Sequence, residues 1–352
     1  MLNFKQIKVI ETLKENNANV FLFISEVNRF WLTQFQSSFG YLIFSPEKID
    51  LYLDGRYYED AKLKIKIPNL EIHLFKNLTS ILDDLKLKKV NRILVEEEFF
   101  LLDEYNHMKN YFEQIIPCST KKMRIEKDAN EITNLKMAAK IVCETMEWIQ
   151  KEIKIGMSEK EVAALVTYKM MQKGASKNSF DPIVASGVNG SFPHHKPSDK
   201  KIANNEFVTI DMGCIYNGYC SDLTRTFPIG KPDQRLIDAY NVVFDSNQTG
   251  IEHSCANIIG SDLDKICRDV ISKTEFKDYF IHSTGHGVGI EVHEFPNVSK
   301  TYADKILNNS IITIEPGIYL PNLGGIRIED MVLINDKTPI VLTDLATKHK
   351  FN

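Results

Sequence analysis

Five residues in the C-terminal half of the chain have side chains that bind divalent metal ions: Asp211, Asp222, His286, Glu315 and Glu329. Four carboxylates in one buried place would repel each other strongly unless cations neutralise their charge. A donor set this rich in oxygen favours Mn²⁺ among the transition metals, with Co²⁺, Zn²⁺ or Fe²⁺ as substitutes. These residue types therefore predict a site for two divalent metal ions side by side, provided that the fold brings them together.

The first two acids lie on a predicted β-hairpin. Asn217-Gly218 separates two β-rich runs, and this dipeptide favours a type I′ turn because both central residues need a positive φ. Counting outward from the turn places Gly213 opposite Asp222 and puts Asp211 on the same face, so the two carboxylates are diagonal neighbours. Gly213 would then leave the space between them open. The alternative is a solvated hairpin face with two ordinary aspartates.

The two glutamates each interrupt an apolar run that is typical of a strand. A glutamate among isoleucines needs a compensating partner, and Arg327, on the same face as Glu329, could orient a ligating carboxylate. Pro316 removes a backbone donor and would end strand pairing beside Glu315. An edge strand that exposes its glutamates to water is the alternative.

His286 lies between two glycines, which allow a neighbouring backbone or a ligand to approach closely. The glycine cluster around it lacks the spacing of a dinucleotide-binding loop. Taken alone, a single histidine in such a segment usually has a structural role.

Five segments, taken together and in this order, resemble the metal-ligand motifs of the proline-peptidase branch of the pita-bread metallopeptidases, which includes aminopeptidase P and prolidase. They are Thr209-Ile-Asp-Met-Gly, Ser221-Asp-Leu-Thr-Arg-Thr, Thr284-Gly-His-Gly-Val-Gly, Thr313-Ile-Glu-Pro-Gly and Gly325-Ile-Arg-Ile-Glu-Asp. The resemblance implies that Asp211 chelates one ion, that Asp222 and Glu329 bridge both ions, and that His286 and Glu315 complete the shell of the second.

The resemblance also implies catalytic roles around the metals. His194, after Ser191-Phe-Pro, and His293, in Val288-Gly-Ile-Glu-Val-His, match pocket histidines that would stabilise the oxyanion or position the substrate. Glu315 would transfer a proton to the leaving nitrogen, and Arg327 would support the metal ligands. Without the resemblance, two structural alternatives are equally well supported: His194 as a loop histidine and His293 as a polar residue that caps a strand.

The N-terminal segments Val20-Phe-Leu-Phe-Ile and Tyr52-Leu-Asp-Gly-Arg-Tyr resemble the creatinase-like domain of the same branch. The implied fold class is α+β: a C-terminal pita-bread (creatinase/aminopeptidase) domain with a smaller α/β N-terminal domain. A charged stretch precedes a helix start at Asp128, which has capping-box spacing with Glu131. We therefore predict domains at residues 1–124 and 125–352, with a further helix opened by Ser158.

Bulk composition excludes several classes of protein. The chain has 352 residues, 43% of them hydrophobic and 26% charged, which is typical of globular domains. Its start offers no secretory h-region and it has no long apolar run, so we expect a cytoplasmic protein without a membrane partner. A net charge of −4 and scattered lysines argue against nucleic-acid binding. Six cysteines without C-x-x-C spacing favour reduced thiols.

The resemblance implies hydrolysis of Xaa-Pro bonds in proline-containing peptides, by a homodimer. We favour an Xaa-Pro aminopeptidase, because the sequence has no evident basic motif for a dipeptide carboxylate. An Xaa-Pro dipeptidase is the alternative. A metal-free creatinase-like amidinohydrolase or a non-catalytic binding module would not need all five ligands, and a methionine aminopeptidase would lack the N-terminal domain.

Overall fold

The computed structural model describes residues 3–351, apart from the side chain of Leu87. The chain forms two compact units, one up to Met123 and the other from Arg124. Among the described helices, none is both long enough and apolar enough to cross a lipid bilayer.

The N-terminal unit is built on a mixed sheet with the strand order β4-β3-β2-β1-β5-β6. Its strands are β1 (Val20–Phe23), β2 (Tyr41–Phe44), β3 (Ile49–Leu53), β4 (Leu70–Leu74), β5 (Arg92–Glu96) and β6 (Gln114–Cys118). Its helices are α1 (Phe4–Glu15), α2 (Glu26–Thr33), α3 (Tyr58–Lys64), α4 (Leu78–Leu87) and α5 (Leu102–Met108). Every residue of the central strand β1 is buried, as its unbroken apolar sequence predicts for a strand covered on both faces.

The C-terminal unit contains two helix pairs and several small sheets. Its helices are α6 (Ala129–Glu152), α7 (Glu159–Gln172), α8 (Gln234–His253) and α9 (Gly260–Ser272), with a short 3₁₀ helix at Gly187–Ser191. Another 3₁₀ helix, Lys121–Arg124, spans the boundary between the two units in the chain. The first strands are β7 (Lys177–Asn178), β8 (Ile183–Ser186), β9 (Glu206–Met212), β10 (Cys214–Tyr216), β11 (Tyr219–Cys220) and β12 (Leu223–Ile229). The later strands are β13 (Gly285–Gly287), β14 (Glu294–Val298), β15 (Ile311–Ile314), β16 (Gly317–Leu320), β17 (Gly324–Arg327), β18 (Asp330–Leu333) and β19 (Ile340–Val341).

Helices α6 and α7 begin where the sequence predicts. Asp128 caps α6 and Ser158 caps α7, each in a capping box with the glutamate three residues later. Their buried stripes, including Val142 and Val166, pack in one core with Ile210 of β9. This packing holds the strand that carries Asp211 against the helices.

The hairpin register is confirmed by the structure. Asn217 and Gly218 both have positive φ, 48° and 84°, as a type I′ turn requires. Asp211 lies opposite Thr224 in the antiparallel pairing of β9 with β12. The register therefore continues from the turn to the first candidate ligand.

The prediction that Gly213 leaves open space between the two aspartates is wrong. A Cβ atom at this position would lie 2.1 Å from Ser179 Oγ and 2.1 Å from the Ser221 carbonyl oxygen. Gly213 is therefore required by close packing of the protein around it, and it does not leave space for ions.

The two glutamates lie at breaks between strands. Glu315 follows β15 and precedes β16, while Glu329 lies between β17 and β18. Strand β15 pairs with β18 in one sheet. Strands β16 and β17, which lie between them in the sequence, pair with each other in a separate sheet. Both side chains thus come from the junction where one ladder ends and the next begins.

We expect Gly213→Ala to lower the free energy of unfolding by about 2 kcal/mol, because the added methyl group overpacks a backbone carbonyl. Denaturant titration followed by circular dichroism would measure the loss. Gly55→Ala is the matched control, since a Cβ there meets no atom within 4 Å. Equal stability of the two variants would contradict the packing argument.

Candidate metal centre and active site

The carboxylate of Asp211 is held by a buried arginine. Arg327 Nη2 donates to Asp211 Oδ2 over 2.7 Å, and Arg327 Nε donates to Thr224 Oγ1 over 3.2 Å. Thr224 in turn donates to Glu329 Oε2 over 2.8 Å. One hydrogen-bonded chain therefore fixes two of the predicted ligands, one from the hairpin and one from the β17–β18 junction.

His286 and Glu315 are oriented together by Thr313. Thr313 Oγ1 accepts from the His286 backbone N–H over 3.0 Å and donates to Glu315 Oε1 over 3.2 Å. His286 Nδ1 lies 3.1 Å from the Gly287 carbonyl oxygen, which can only accept, so Nδ1 carries the proton. Nε2 is then free to bind a metal ion.

Nε2 of His286 faces the carboxylates. It lies 3.3 Å from Glu315 Oε1 and 3.6 Å from Asp222 Oδ2. One donor atom each of Asp222, His286 and Glu329 lie within 4.8 Å of one another. The structure thus brings all five sequence-predicted ligands into one cluster.

Burial and mutual repulsion dominate the electrostatics of this cluster. Burial and the neighbouring carboxylates raise the pKa values of Asp222 and Glu329 well above their usual range. Burial and Asp211 raise the pKa of Glu315 to about 8. Burial, followed by His293, lowers the pKa of His286 to about 3, so this imidazole is neutral at physiological pH.

These side chains fit a divalent metal ion. Asp211 Oδ1 is buried and accepts no hydrogen bond from the described residues, although a buried carboxylate oxygen normally has a partner. The neutral imidazole and the crowded oxygens are the donors that such ions prefer. A cation would also remove the repulsion that raises the carboxylate pKa values.

The cluster lies on the wall of a cavity of about 480 Å³. His194 and His293, the two predicted pocket histidines, both line this cavity and are exposed to solvent. The His293 ring packs edge-on against His286, with 4.2 Å between the ring centroids. All the predicted catalytic residues therefore lie in or beside one cavity.

Two further residues of the cavity wall were missed by the sequence argument. His282 Nε2 lies 2.9 Å from Tyr319 Oη, which accepts a hydrogen bond of 2.9 Å from Arg327 Nη1. Burial, followed by the charge of Arg327, lowers the pKa of His282 to about 4. In the sequence, His282 is marked only by its position four residues before His286.

A buried carboxylate also organises the loop that carries His194. Glu159, the first residue of α7, is fully buried and accepts hydrogen bonds from Ser186 N–H (2.8 Å), Asn189 Nδ2 (3.0 Å) and Ser198 Oγ (2.6 Å). His195 Nε2 lies 2.7 Å from the same carboxylate. Burial alone would raise the pKa of Glu159, but these hydrogen bonds, Ser198 first, lower it to about 2.

A second group of possible metal ligands, Asp50, Glu71 and His73, lies in the N-terminal unit. Lys48 Nζ lies 2.9 Å from Asp50 Oδ1 and 2.7 Å from Glu71 Oε2. The lysine ammonium already supplies the positive charge at this place. We therefore assign no metal site there.

Comparisons with known proteins match both units. Residues 133–336 match the model of metallopeptidase family M24, and residues 7–126 match the creatinase/prolidase N-terminal domain. A putative Xaa-Pro aminopeptidase of Mycoplasma pneumoniae is 42% identical over 94% of each chain, and an Xaa-Pro dipeptidase of Pyrococcus furiosus is 34% identical over 94% of each chain. The solved structure of an Xaa-Pro dipeptidase from Bacillus anthracis has a TM-score of 0.92 at 33% identity, covering 97% of this chain and 98% of that one.

We expect Mn²⁺ to raise the unfolding temperature of metal-stripped protein, because an ion that binds only the folded state stabilises it by about 2.7 kcal/mol at 100 times its dissociation constant. Asp222→Ala should lose most of this shift. Differential scanning calorimetry with elemental analysis measures both the shift and the bound metal. Asp245→Ala, at an exposed ion pair with Lys350, is the control, and an undiminished shift in Asp222→Ala would contradict the assignment.

Glu159→Gln should lower the free energy of unfolding by about 2 kcal/mol at neutral pH, because several hydrogen bonds to a charged group become weaker. The folded-state pKa of Glu159, about 2, lies below its ordinary value of 4.5, so its stabilisation is present above about pH 4.5 and is lost as the pH falls towards 2. Denaturant titrations at neutral pH and near pH 4 should therefore show a smaller difference at the lower pH. Glu275→Gln, at an exposed ion pair, is the control, and a difference that does not change with pH would count against this role.

Proposed function

Because the chain belongs to metallopeptidase family M24 and carries a creatinase/prolidase N-terminal domain, we propose that it is an Xaa-Pro aminopeptidase that uses two divalent metal ions. The chain is an Xaa-Pro peptidase, as its relatives are named. The predicted fold class, α+β with a pita-bread domain after a creatinase-like domain, is confirmed. The aminopeptidase type and the number and identity of the metal ions are the proposed part.

The metal ligands would be the five clustered residues. Asp211 would hold one ion, and His286 with Glu315 would hold the second, while Asp222 and Glu329 would bridge the two. The proximity of Asp222, His286 and Glu329 supports this arrangement. When bound, two divalent ions activate water for attack and stabilise negative charge on the scissile carbonyl oxygen.

The chain's own groups would handle the substrate and the proton. Glu315 is the candidate for proton transfer to the leaving nitrogen, since Thr313 and His286 fix its carboxylate at the cavity wall. His194 and His293 are exposed on the same wall and would donate hydrogen bonds to the scissile carbonyl. Arg327 would hold Asp211 in position rather than touch the substrate.

Specificity for proline is supported by an apolar part of the cavity wall. Phe180, Pro182, Pro193 and Pro197 line it and offer contact surface for a pyrrolidine ring. The Xaa-Pro amide has no N–H. An apolar wall beside the prolyl nitrogen therefore leaves no hydrogen-bond donor of the substrate unsatisfied. This wall lies in the same cavity as the metal-ligand cluster.

Two observations bear on the peptidase type. The relative with 42% identity is named a putative aminopeptidase, which supports that type. Dipeptidase is the second candidate, because other relatives carry that name and because Lys196 lines the cavity. Lys196 is a basic residue that lies outside any evident sequence motif for a dipeptide carboxylate.

The convergence of five metal-binding side chains on a proline-lined cavity carries the proposal. We expect Mn²⁺-dependent release of the first residue from Xaa-Pro-Yaa tripeptides, which a chelator abolishes. Hydrolysis of Xaa-Pro-Yaa and Xaa-Pro would be compared by mass spectrometry. Cleavage of the dipeptide alone would establish the dipeptidase, and failure with both substrates in metal-loaded protein would refute the proposed function.

Arg327→Met should weaken metal binding and lower kcat/KM by about 10- to 100-fold, as is typical when a residue that orients a metal ligand is removed. Isothermal titration with Mn²⁺ and peptide hydrolysis measure the two effects. Arg235→Met, at an exposed ion pair with Glu275, is the matched control. Unchanged metal affinity in Arg327→Met would argue against this role.

We also propose Mn²⁺ as the working ion, because oxygen donors dominate the site, and a homodimer as the working assembly, on the family resemblance. Activity after reconstitution with single metals tests the first proposal. Light scattering of the purified protein tests the second.

A further inference from the structure

Lys196 is a positive charge without a partner at the substrate cavity. Of the described basic residues that line the cavity, Arg327 is buried and bound to Asp211. Lys196 is exposed, and no ion pair within 4 Å joins it to a described acid. Its ammonium is therefore available to a negative group on the substrate.

The backbone around Lys196 is fixed even though its side chain is free. His195 and Ser198, on either side of it, both bind the buried carboxylate of Glu159, with distances of 2.7 Å and 2.6 Å. The lysine thus extends from a defined point, and its flexible four-carbon stem gives the ammonium some range of movement.

The surroundings of Lys196 indicate which end of the substrate it meets. Pro193 and Pro197, its neighbours along the chain, belong to the apolar wall proposed to contact the prolyl ring. A lysine would repel the α-ammonium group of the first substrate residue. We therefore expect Lys196 to face the part of the substrate that follows the scissile bond.

The negative group on that side of a short peptide is its C-terminal carboxylate. A dipeptide and a tripeptide place this group about 3.5 Å apart along an extended chain, a difference that an exposed lysine can follow. A longer or amidated peptide offers no carboxylate at this distance.

We propose that Lys196 binds the C-terminal carboxylate of short substrates, and thereby selects dipeptides and tripeptides with a free carboxyl end over amidated and longer peptides. The inference rests on the proposed Xaa-Pro peptidase function and specifies the substrate class of that same site.

Asp181 is the other exposed charged side chain on the cavity wall. It is not within 4 Å of the Lys196 ammonium, so it does not neutralise the lysine directly. Asp181→Asn should raise the preference for substrates with a free carboxylate, because it removes a repelling charge.

The test compares kcat/KM for Ala-Pro-Ala and Ala-Pro with the values for their C-terminal amides, in the full metal-loaded protein. The ratio of acid to amide isolates the contribution of the carboxylate from any general effect of a variant. We expect Lys196→Gln to lower this ratio by about 2- to 5-fold, the upper part of the range of a solvent-exposed ion pair. Lys196→Arg should retain most of it, and high salt should reduce it in the wild-type protein.

Lys177→Gln is the matched control, because it removes the same positive charge from strand β7, away from the cavity wall. It should leave the ratio unchanged. An unchanged ratio in Lys196→Gln would overturn the inference while leaving Xaa-Pro hydrolysis in place. An equal fall of the ratio in Lys196→Gln and Lys177→Gln would also overturn it, since the preference for a carboxylate would then depend on the overall charge of the protein.

Binding separates this inference from the proposed function. Calorimetric titration with Pro-Ala and its amide requires no catalysis. If the acid binds more tightly and Lys196→Gln removes the difference, the inference stands even if no Xaa-Pro substrate is cleaved. If acid and amide bind equally to the wild-type protein, the inference fails whatever the activity.

Discussion

Confinement of four carboxylates in one small volume is the constraint on which the C-terminal unit depends. Three of the four are held by a polar side chain: Arg327 binds Asp211, Thr224 binds Glu329, and Thr313 binds Glu315. These partners fix the positions of the oxygens but cannot neutralise their combined charge. The strand register, the ladder breaks and the buried threonines together hold oxygen atoms in a place that requires a cation.

A second layer of positive charge lies behind the cluster. Arg225 is 1% exposed; it donates to the Glu329 carbonyl over 2.5 Å and pairs with Asp330 Oδ1 over 2.7 Å. It also donates to the Ala346 carbonyl, so the C-terminal segment is part of the support for this ligand. Burying such an arginine is unfavourable unless all of its donors are used, which restricts how the last strands can pack.

Short sequence patterns were sufficient to predict the hairpin register and the starts of two helices. The Asn217-Gly218 turn set the hairpin register as far as Asp211, because a two-residue turn leaves only one pairing. The capping boxes predicted where α6 and α7 begin. Gly213 was misinterpreted because its packing partner Ser179 comes from a segment 34 positions earlier in the chain, and no spacing rule connects the two.

The residues that sequence reasoning missed share one property, which is that their roles depend on how loops close over the cavity. Glu159 resembles an ordinary first-turn acid of a helix, and its hydrogen bonds to Ser186 and Ser198 exist only in the folded chain. Lys196 is one of many scattered lysines until that loop is closed. A metal cluster can be recognised from residue types, because few side chains bind metal ions, whereas substrate selection is built from common residues in specific places. The catalytic class was therefore accessible from the sequence, whereas the position of Lys196 at the cavity became visible only in the folded structure.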